Sequence, residues 1–162
     1  MELKRVVVTG LGALTPIGNN TAETWESLQK GVSGAGPITQ FDASKFKTQF
    51  ACEVKGFDPL QHFDRKEVRK LDRYAQLAQV AADESVKDSG LDLDQLDKNR
   101  VGVIVSAGIG GLTTFESEVR DYNPENGPRF NPFFIPKMIS DIAAGQISIK
   151  YGFHGPNYSI AS

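Results

Sequence analysis

Apolar and polar positions along this chain alternate between strand-like runs and helix-like periods. Residues 5–9 form an apolar, β-branched run that leads into Gly10-Leu11-Gly12, the pattern of a buried strand entering a glycine turn. Asn20 opens a predicted helix with Glu23 as its capping partner; Trp25 and Leu28 share its apolar face, and Gly31 ends it. Residues 32–63 mix turn residues with scattered Phe41, Phe46, Phe50, Phe57 and Phe63, and read as an irregular excursion with short strands. A long helix is predicted next. Asp64 is its N-cap, Glu67 the partner three residues on, and Val68, Leu71, Ala75, Ala78, Ala82 and Val86 step by three and four until Gly90.

The second half of the chain repeats the scheme. Residues 101–106 read as a buried strand, Gly108-Ile109-Gly110-Gly111 as a second glycine turn, and residues 112–122 as a helix. A proline- and aromatic-rich stretch, 123–136, is followed by an apolar helix from Met138 to about Ile149, closed by Gly152, and by a last strand at 157–161. Strand, helix, strand, helix, strand argues for an α/β fold with a mainly parallel sheet. Without repeats or a linker, residues 1–162 read as one domain.

Composition narrows the function classes. A net charge of -2 gives no global case for nucleic acid or a membrane surface. No run of 18 apolar residues suits a transmembrane helix, and the N-terminus lacks a signal-peptide pattern. One cysteine, Cys52, excludes an internal disulfide and fits a reducing compartment, so the chain is read as cytoplasmic.

The glycine turns raise nucleotide binding first. The dinucleotide fingerprint needs a third Gly or Ala where this chain has Thr15 and Thr113, and no Gly-Lys-Ser/Thr phosphate loop exists. Tight strand-to-helix turns explain these glycines as well. Cys52 has no nearby histidine to stabilise a thiolate and reads as a small packed residue. His62 and His154 lie in turn-like contexts, without metal-ligand spacing to each other or to Cys52, and read as surface or capping residues. No metal or cofactor is called for.

Two segments ask for a reason. Lys66, Arg69, Lys70 and Arg73 fall on one face of the predicted long helix, close to its start, where the helix dipole favours acids instead. The face is either simply solvated or docks an acidic partner. In Pro132-Phe133-Phe134-Ile135-Pro136, two prolines are expected to hold an extended backbone around three large apolar side chains. Leaving each in water forfeits roughly 1.5–3 kcal/mol, so they pack on a core, a partner subunit or an apolar ligand. The chain's last residues, Asn157 to Ser162, read as a strand followed by small residues, a place where α/β enzymes turn sharply and mount a nucleophile. The turn and helix are expected to follow in a longer polypeptide.

Taken together, these motifs resemble a known family. Val7-Val8-Thr9-Gly10-Leu11-Gly12-Ala13-Leu14-Thr15-Pro16-Ile17-Gly18 and Trp25 to Gly31 are similar to the opening of the β-ketoacyl-acyl-carrier-protein synthases. So are Phe41-Asp42, Gly108-Ile109-Gly110-Gly111, Pro132 to Pro136 and Tyr151-Gly152-Phe153-His154-Gly155-Pro156, in order along the whole chain. The chain most resembles the synthase II type of fatty-acid elongation.

The resemblance implies a thiolase-like fold, layered αβαβα in the full enzyme. It has two similar α/β halves, each with a five-stranded sheet, and this chain covers most of the first. It implies an acyltransferase that joins acyl and malonyl thioesters by decarboxylative Claisen condensation, without a soluble cofactor. The nucleophilic cysteine is expected two residues after Ser162, and two histidines and a lysine in the second half; no catalytic residue lies within the chain, and neither His62 nor His154 matches one. The resemblance places Ile109 on the acyl pocket and Phe133 and Phe134 on the segment closing it across a dimer interface. It makes Lys66, Arg69, Lys70 and Arg129 the dock for acidic acyl carrier protein. Tyr158, Ser159 and Ile160 belong to an edge strand that pairs with its twin in a homodimer. An uncovered edge predicts that residues 1–162 alone do not form a stable, soluble monomer.

Two other readings stay open on the residues. A non-catalytic, chain-length-factor-like subunit would share pocket and docking residues but carry Gln at the cysteine position. An unrelated α/β nucleotide-binding domain would bind common nucleotides tightly.

Overall fold

The computed structural model describes residues 3–126 and 129–161. The chain divides into two compact units, Met1–Asp58 with Asp83–Gly90, and Pro59–Ala82 with Leu91–Ser162.

In the first unit, α1 (Thr21–Gln29) begins where expected. The Asn20 side chain accepts from the Glu23 N–H at 2.8 Å, and the helix gives way to Gly31 at φ +66. The excursion after it is indeed mostly irregular: β1 (Gly36–Pro37) and β2 (Phe50–Ala51) pair antiparallel. The first glycine turn is tied down by carboxylates. Glu84 accepts from the Ala13 and Thr21 N–H groups at 2.9 and 2.8 Å, and Asp88 from that of Leu11 at 2.8 Å. Gly10 cannot be larger, because a Cβ there would lie 2.2 Å from the Ser85 carbonyl oxygen. Residues 5–9 are not a strand. They have no ladder partner among the described residues, and Val6 and Val8 are 90% and 80% exposed. An apolar β-branched run supplies strand propensity, but a ladder also needs a neighbour.

The second unit holds a parallel pair, β3 (Val103–Ile104) and β4 (Asn157–Tyr158), in register Val103↔Asn157 and Ile104↔Tyr158. Both are shorter than the runs that predicted them. Parallel strands need a long crossover, and helix α6 (Ile142–Tyr151) is part of it. Val103, Ala144, Ile147 and Phe153 form the core between them, with Leu93, Leu96, Val105 and Tyr151 packed around it. Gly152, at φ +68, ends α6 in the left-handed conformation that glycine takes without cost.

The predicted long helix from Asp64 is two helices, α2 (Arg65–Lys70) and α3 (Arg73–Asp88), with Leu71 extended between them. The start of α2 is a full capping box: Asp64 accepts from the Lys66 and Glu67 N–H groups, and Glu67 accepts from that of Asp64. The break comes from Asp72, whose carboxylate accepts from the Tyr74 N–H at 3.2 Å and so starts a new helix.

The glycine turn at 108–111 leads into α4 (Leu112–Asp121), as expected. The segment around Pro132 and Pro136 is not extended. Phe134–Met138 is a short helix, α5, with Pro136 in its first turn, where a missing N–H costs no intrahelical bond. The apolar helix expected from Met138 is interrupted at residues 139–141 and resumes as α6. None of the described helices is long and apolar enough to cross a membrane.

Candidate functional site

A cavity of about 770 Å³ lies in the second unit. One wall is the glycine turn and the start of α4, giving Ile109, Leu112 and Phe115. A second is the break between α5 and α6, Met138 to Asp141, and Asn157, Tyr158 and Ser159 of β4 complete it. The lining is mainly apolar with a few polar groups, the make-up of a site for an apolar ligand with a polar end. The site lies beside the C-terminal end of a parallel strand, where α/β folds bind ligands.

Sequence chemistry builds each wall. Gly110 adopts φ +90, and a Cβ there would sit 2.3 Å from the Met138 carbonyl oxygen. Only glycine lets the turn come so close to the second wall, and the Gly111 N–H donates to that oxygen at 2.9 Å. Leu112 and Phe115 are one helical turn apart and present neighbouring side chains to the cavity.

Ile109 lines this cavity and is 68% exposed. Phe134 meets it indirectly, stacked on Phe115 with ring centres 6.2 Å apart. Phe133 is not among the lining residues; its ring lies 5.8 Å from the Lys70 ammonium. Tyr158 and Ser159 line the cavity, and Ile160 is exposed just beyond them.

Lys66, Arg69 and Lys70 are exposed on the single short helix α2. The cap of this helix is electrostatically matched to them. Asp64 accepts two backbone bonds and faces Lys66 and Lys70, which together hold its carboxyl below the usual carboxylate range. Arg73 does not share their helix, because the break at Leu71-Asp72 intervenes. Arg129 is exposed; Gly127 and Pro128 before it lie outside the described residues.

Cys52 is an exposed free thiol, not the packed residue expected, because the two-residue strand β2 ends at Ala51, before it. His62 and His154 are both exposed. No cluster of potential metal ligands occurs among the described residues.

Sequence reasoning missed Leu112, Phe115, Met138 and Ile139 as lining residues, and the bonds that hold them. Asp72, only 6% exposed, accepts from the Thr114 N–H at 3.1 Å and its hydroxyl at 2.5 Å. The Tyr74 hydroxyl donates to the Ile139 carbonyl at 2.5 Å. Burial, then the charges of Asp72 and Asp141, push that hydroxyl up to about 12, so it keeps its proton at neutral pH. An Asp just before Arg73-Tyr74-Ala75 is an N-cap signal that could have revealed the break.

Comparison with known proteins places this geometry. The family model "Beta-ketoacyl synthase, N-terminal domain" matches residues 3–162. The chain is 46% identical to a 3-oxoacyl-[acyl-carrier-protein] synthase 2 of Staphylococcus aureus (strain COL), over 95% of this chain and 37% of the relative. It is 46% identical to the protein so named in Coxiella burnetii, over 100% of this chain and 39% of the relative. The chain therefore spans less than two fifths of these relatives.

Among solved structures, the ishigamide ketosynthase/chain length factor is similar with a TM-score of 0.77 and 28% identity, over 96% of this chain and 39% of that one. A type II polyketide acyl carrier protein in complex with its ketosynthase is similar with a TM-score of 0.73 and 28% identity, over 91% and 39%. The fold is thus thiolase-like, as expected, and Asp72 and Tyr74 belong to its first half.

Proposed function

Since the chain belongs to the β-ketoacyl synthase family, carrying its N-terminal domain, we propose that it is the N-terminal part of a 3-oxoacyl-[acyl-carrier-protein] synthase II. The observation that carries this reading is the apolar cavity beside β4, where an acyl chain can lie against Ile109, Leu112 and Phe115. The names of the relatives at 46% identity support the fatty-acid branch of the family.

In this reading a cysteine two residues beyond Ser162 attacks an acyl thioester of acyl carrier protein and releases the carrier thiol. Malonyl-carrier protein then loses carbon dioxide. The carbanion left behind attacks the enzyme thioester, a carbon–carbon bond forms, and the cysteine leaves as thiolate with a 3-oxoacyl-carrier product. The cysteine sits at a helix N-terminus, which lowers its pKa, and backbone amides stabilise the oxyanion. The residues of this chain bind and orient. Ile109 and its neighbours take the acyl tail; Phe133 and Phe134 close the pocket from a dimer partner. Lys66, Arg69, Lys70 and Arg129 attract the acidic carrier protein, and the neighbour described as a carrier protein bound to its ketosynthase supports this partner. Tyr158, Ser159 and Ile160 pair across a homodimer axis. The enzyme works in the cytoplasm.

The test is condensation by the full-length protein. Acyl- and malonyl-carrier protein should yield carbon dioxide and a 3-oxoacyl-carrier product in equal amounts. A chain-length-factor-like subunit would give neither and would carry Gln at the cysteine position.

A further inference from the structure

The two main walls of the cavity come from segments distant in sequence, and both are bonded to one small element outside it. That element is the break between α2 and α3. Asp72 directs one carboxylate oxygen to the Tyr74 N–H, and so caps its own helix, at 3.2 Å. The other oxygen leaves the helix and accepts from the Thr114 N–H and hydroxyl, at 3.1 and 2.5 Å, in the first turn of α4. Two residues on, the Tyr74 hydroxyl donates to the Ile139 carbonyl at 2.5 Å, in the opposite wall. Neither Asp72 nor Tyr74 is among the residues that line the cavity.

Asp64 provides an internal comparison. It caps α2 through one oxygen, Oδ1, which accepts both backbone bonds, and it does so exposed at the surface. Capping therefore does not require a buried carboxylate. Burying one is costly unless its hydrogen bonds are made, and Asp72 makes them to the cavity wall. Gly111 is fitted to this arrangement: a Cβ there would lie 3.0 Å from Asp72 Oδ2. The same Cβ would lie 2.3 Å from the Lys137 carbonyl oxygen, so glycine is needed there for both approaches.

We propose that Asp72 and Tyr74 are positioning residues that fix the spacing of the two cavity walls, and through it the selectivity for acyl-chain length. This rests on the reading of the cavity as the acyl site. A long chain touches both walls along their length, whereas a short one does not. Releasing either wall therefore weakens long-chain binding more than short-chain binding.

The experiment uses the full-length protein and unreactive amide analogues, palmitoyl- and hexanoyl-aminopantetheine, with affinities measured by calorimetry. Tyr74→Phe releases the Ile139 wall and Thr114→Val loosens the α4 wall; with two variants on different walls, one that fails to fold leaves the other to decide. In each, the palmitoyl-to-hexanoyl affinity ratio should fall about fivefold, as for loss of one ordinary hydrogen bond. Thr114→Ser, which keeps the hydroxyl, should restore the wild-type ratio. Equal weakening of both analogues, an unchanged ratio, or a Thr114→Ser variant no better than Thr114→Val would overturn the proposal. Failure of wild type to bind the palmitoyl analogue would instead sink the acyl-site reading, and the proposal with it.

Discussion

The Lys70 ammonium lies 5.8 Å from the centre of the Phe133 ring, within cation–π reach. Sequence reading gives these residues separate tasks, Lys70 to carrier docking and Phe133 to pocket closure. The structure brings them side by side, so the cationic helix α2 and the aromatic segment before α5 form one surface.

The docking proposed for that surface relies on exposed charges, which fixes how it should fail. Changing Lys66, Arg69 and Lys70 together to Glu should raise the apparent KM for acyl carrier protein roughly tenfold or more, because like charges facing across an interface cost several kcal/mol. The wild-type KM should rise with salt, as screening weakens rim charges. Steady-state kinetics at two ionic strengths checks both. An unchanged KM in the triple variant removes the docking assignment.

Ile109 offers a test of the cavity itself. Ile109→Phe would place an aromatic ring in the cavity proposed to take the acyl tail. Overpacking costs about 1–3 kcal/mol, so kcat/KM for long acyl chains should fall about tenfold while short chains are spared. Undiminished use of long chains contradicts a lining role.

Tyr74 predicts a pH dependence at the alkaline end. Its hydroxyl is pushed up from 10.0 to about 12, first by burial and then by Asp72 and Asp141. Between those values the unfolded chain has released this proton and the folded one retains it. The contribution to stability is therefore complete below pH 10 and lost as pH rises through about 12. Denaturant titrations of wild type and Tyr74→Phe should converge in their pH slopes below pH 10 and diverge above it, with wild type the steeper. Identical slopes throughout would show that the hydroxyl is not held protonated.

Residues 1–162 expressed alone should not give a stable monomer. Leu3, Val6, Val8 and Ile149 are 87%, 90%, 80% and 74% exposed, and uncovered apolar side chains of this size favour association. Size-exclusion chromatography should show aggregates. A monomer with a cooperative unfolding transition would refute this.

How far the sequence could be read depended on how local each signal is. The caps at Asn20 and Asp64 were legible because Ser, Asn and Asp bond backbone groups two or three residues away. Ile109 was legible only through the family resemblance; Gly110 beside it makes a close backbone approach, whereas a Cβ at Gly108 would meet nothing within 4 Å. The Asp72 break left only the local cap signal of Asp72 itself, since Leu71 and Ala75 continue the apolar period across it and its buried partner Thr114 lies far along the chain. The prolines misled for a related reason. Pro132 and Pro136 are expected to hold an extended backbone, yet Pro136 occupies the first turn of α5, where its missing N–H breaks no intrahelical bond. The run at residues 5–9 has strand propensity, but pairing depends on a neighbour that no local pattern specifies.

The most direct measurement is the intact mass of the full-length protein after mixing with acyl carrier protein bearing a long acyl chain, followed by peptide mapping. A gain of one acyl group is expected, on a cysteine two residues beyond Ser162, lost again when malonyl-carrier protein is added. No gain in mass, or an acyl group on any other residue, would contradict the assignment of this chain to a condensing enzyme.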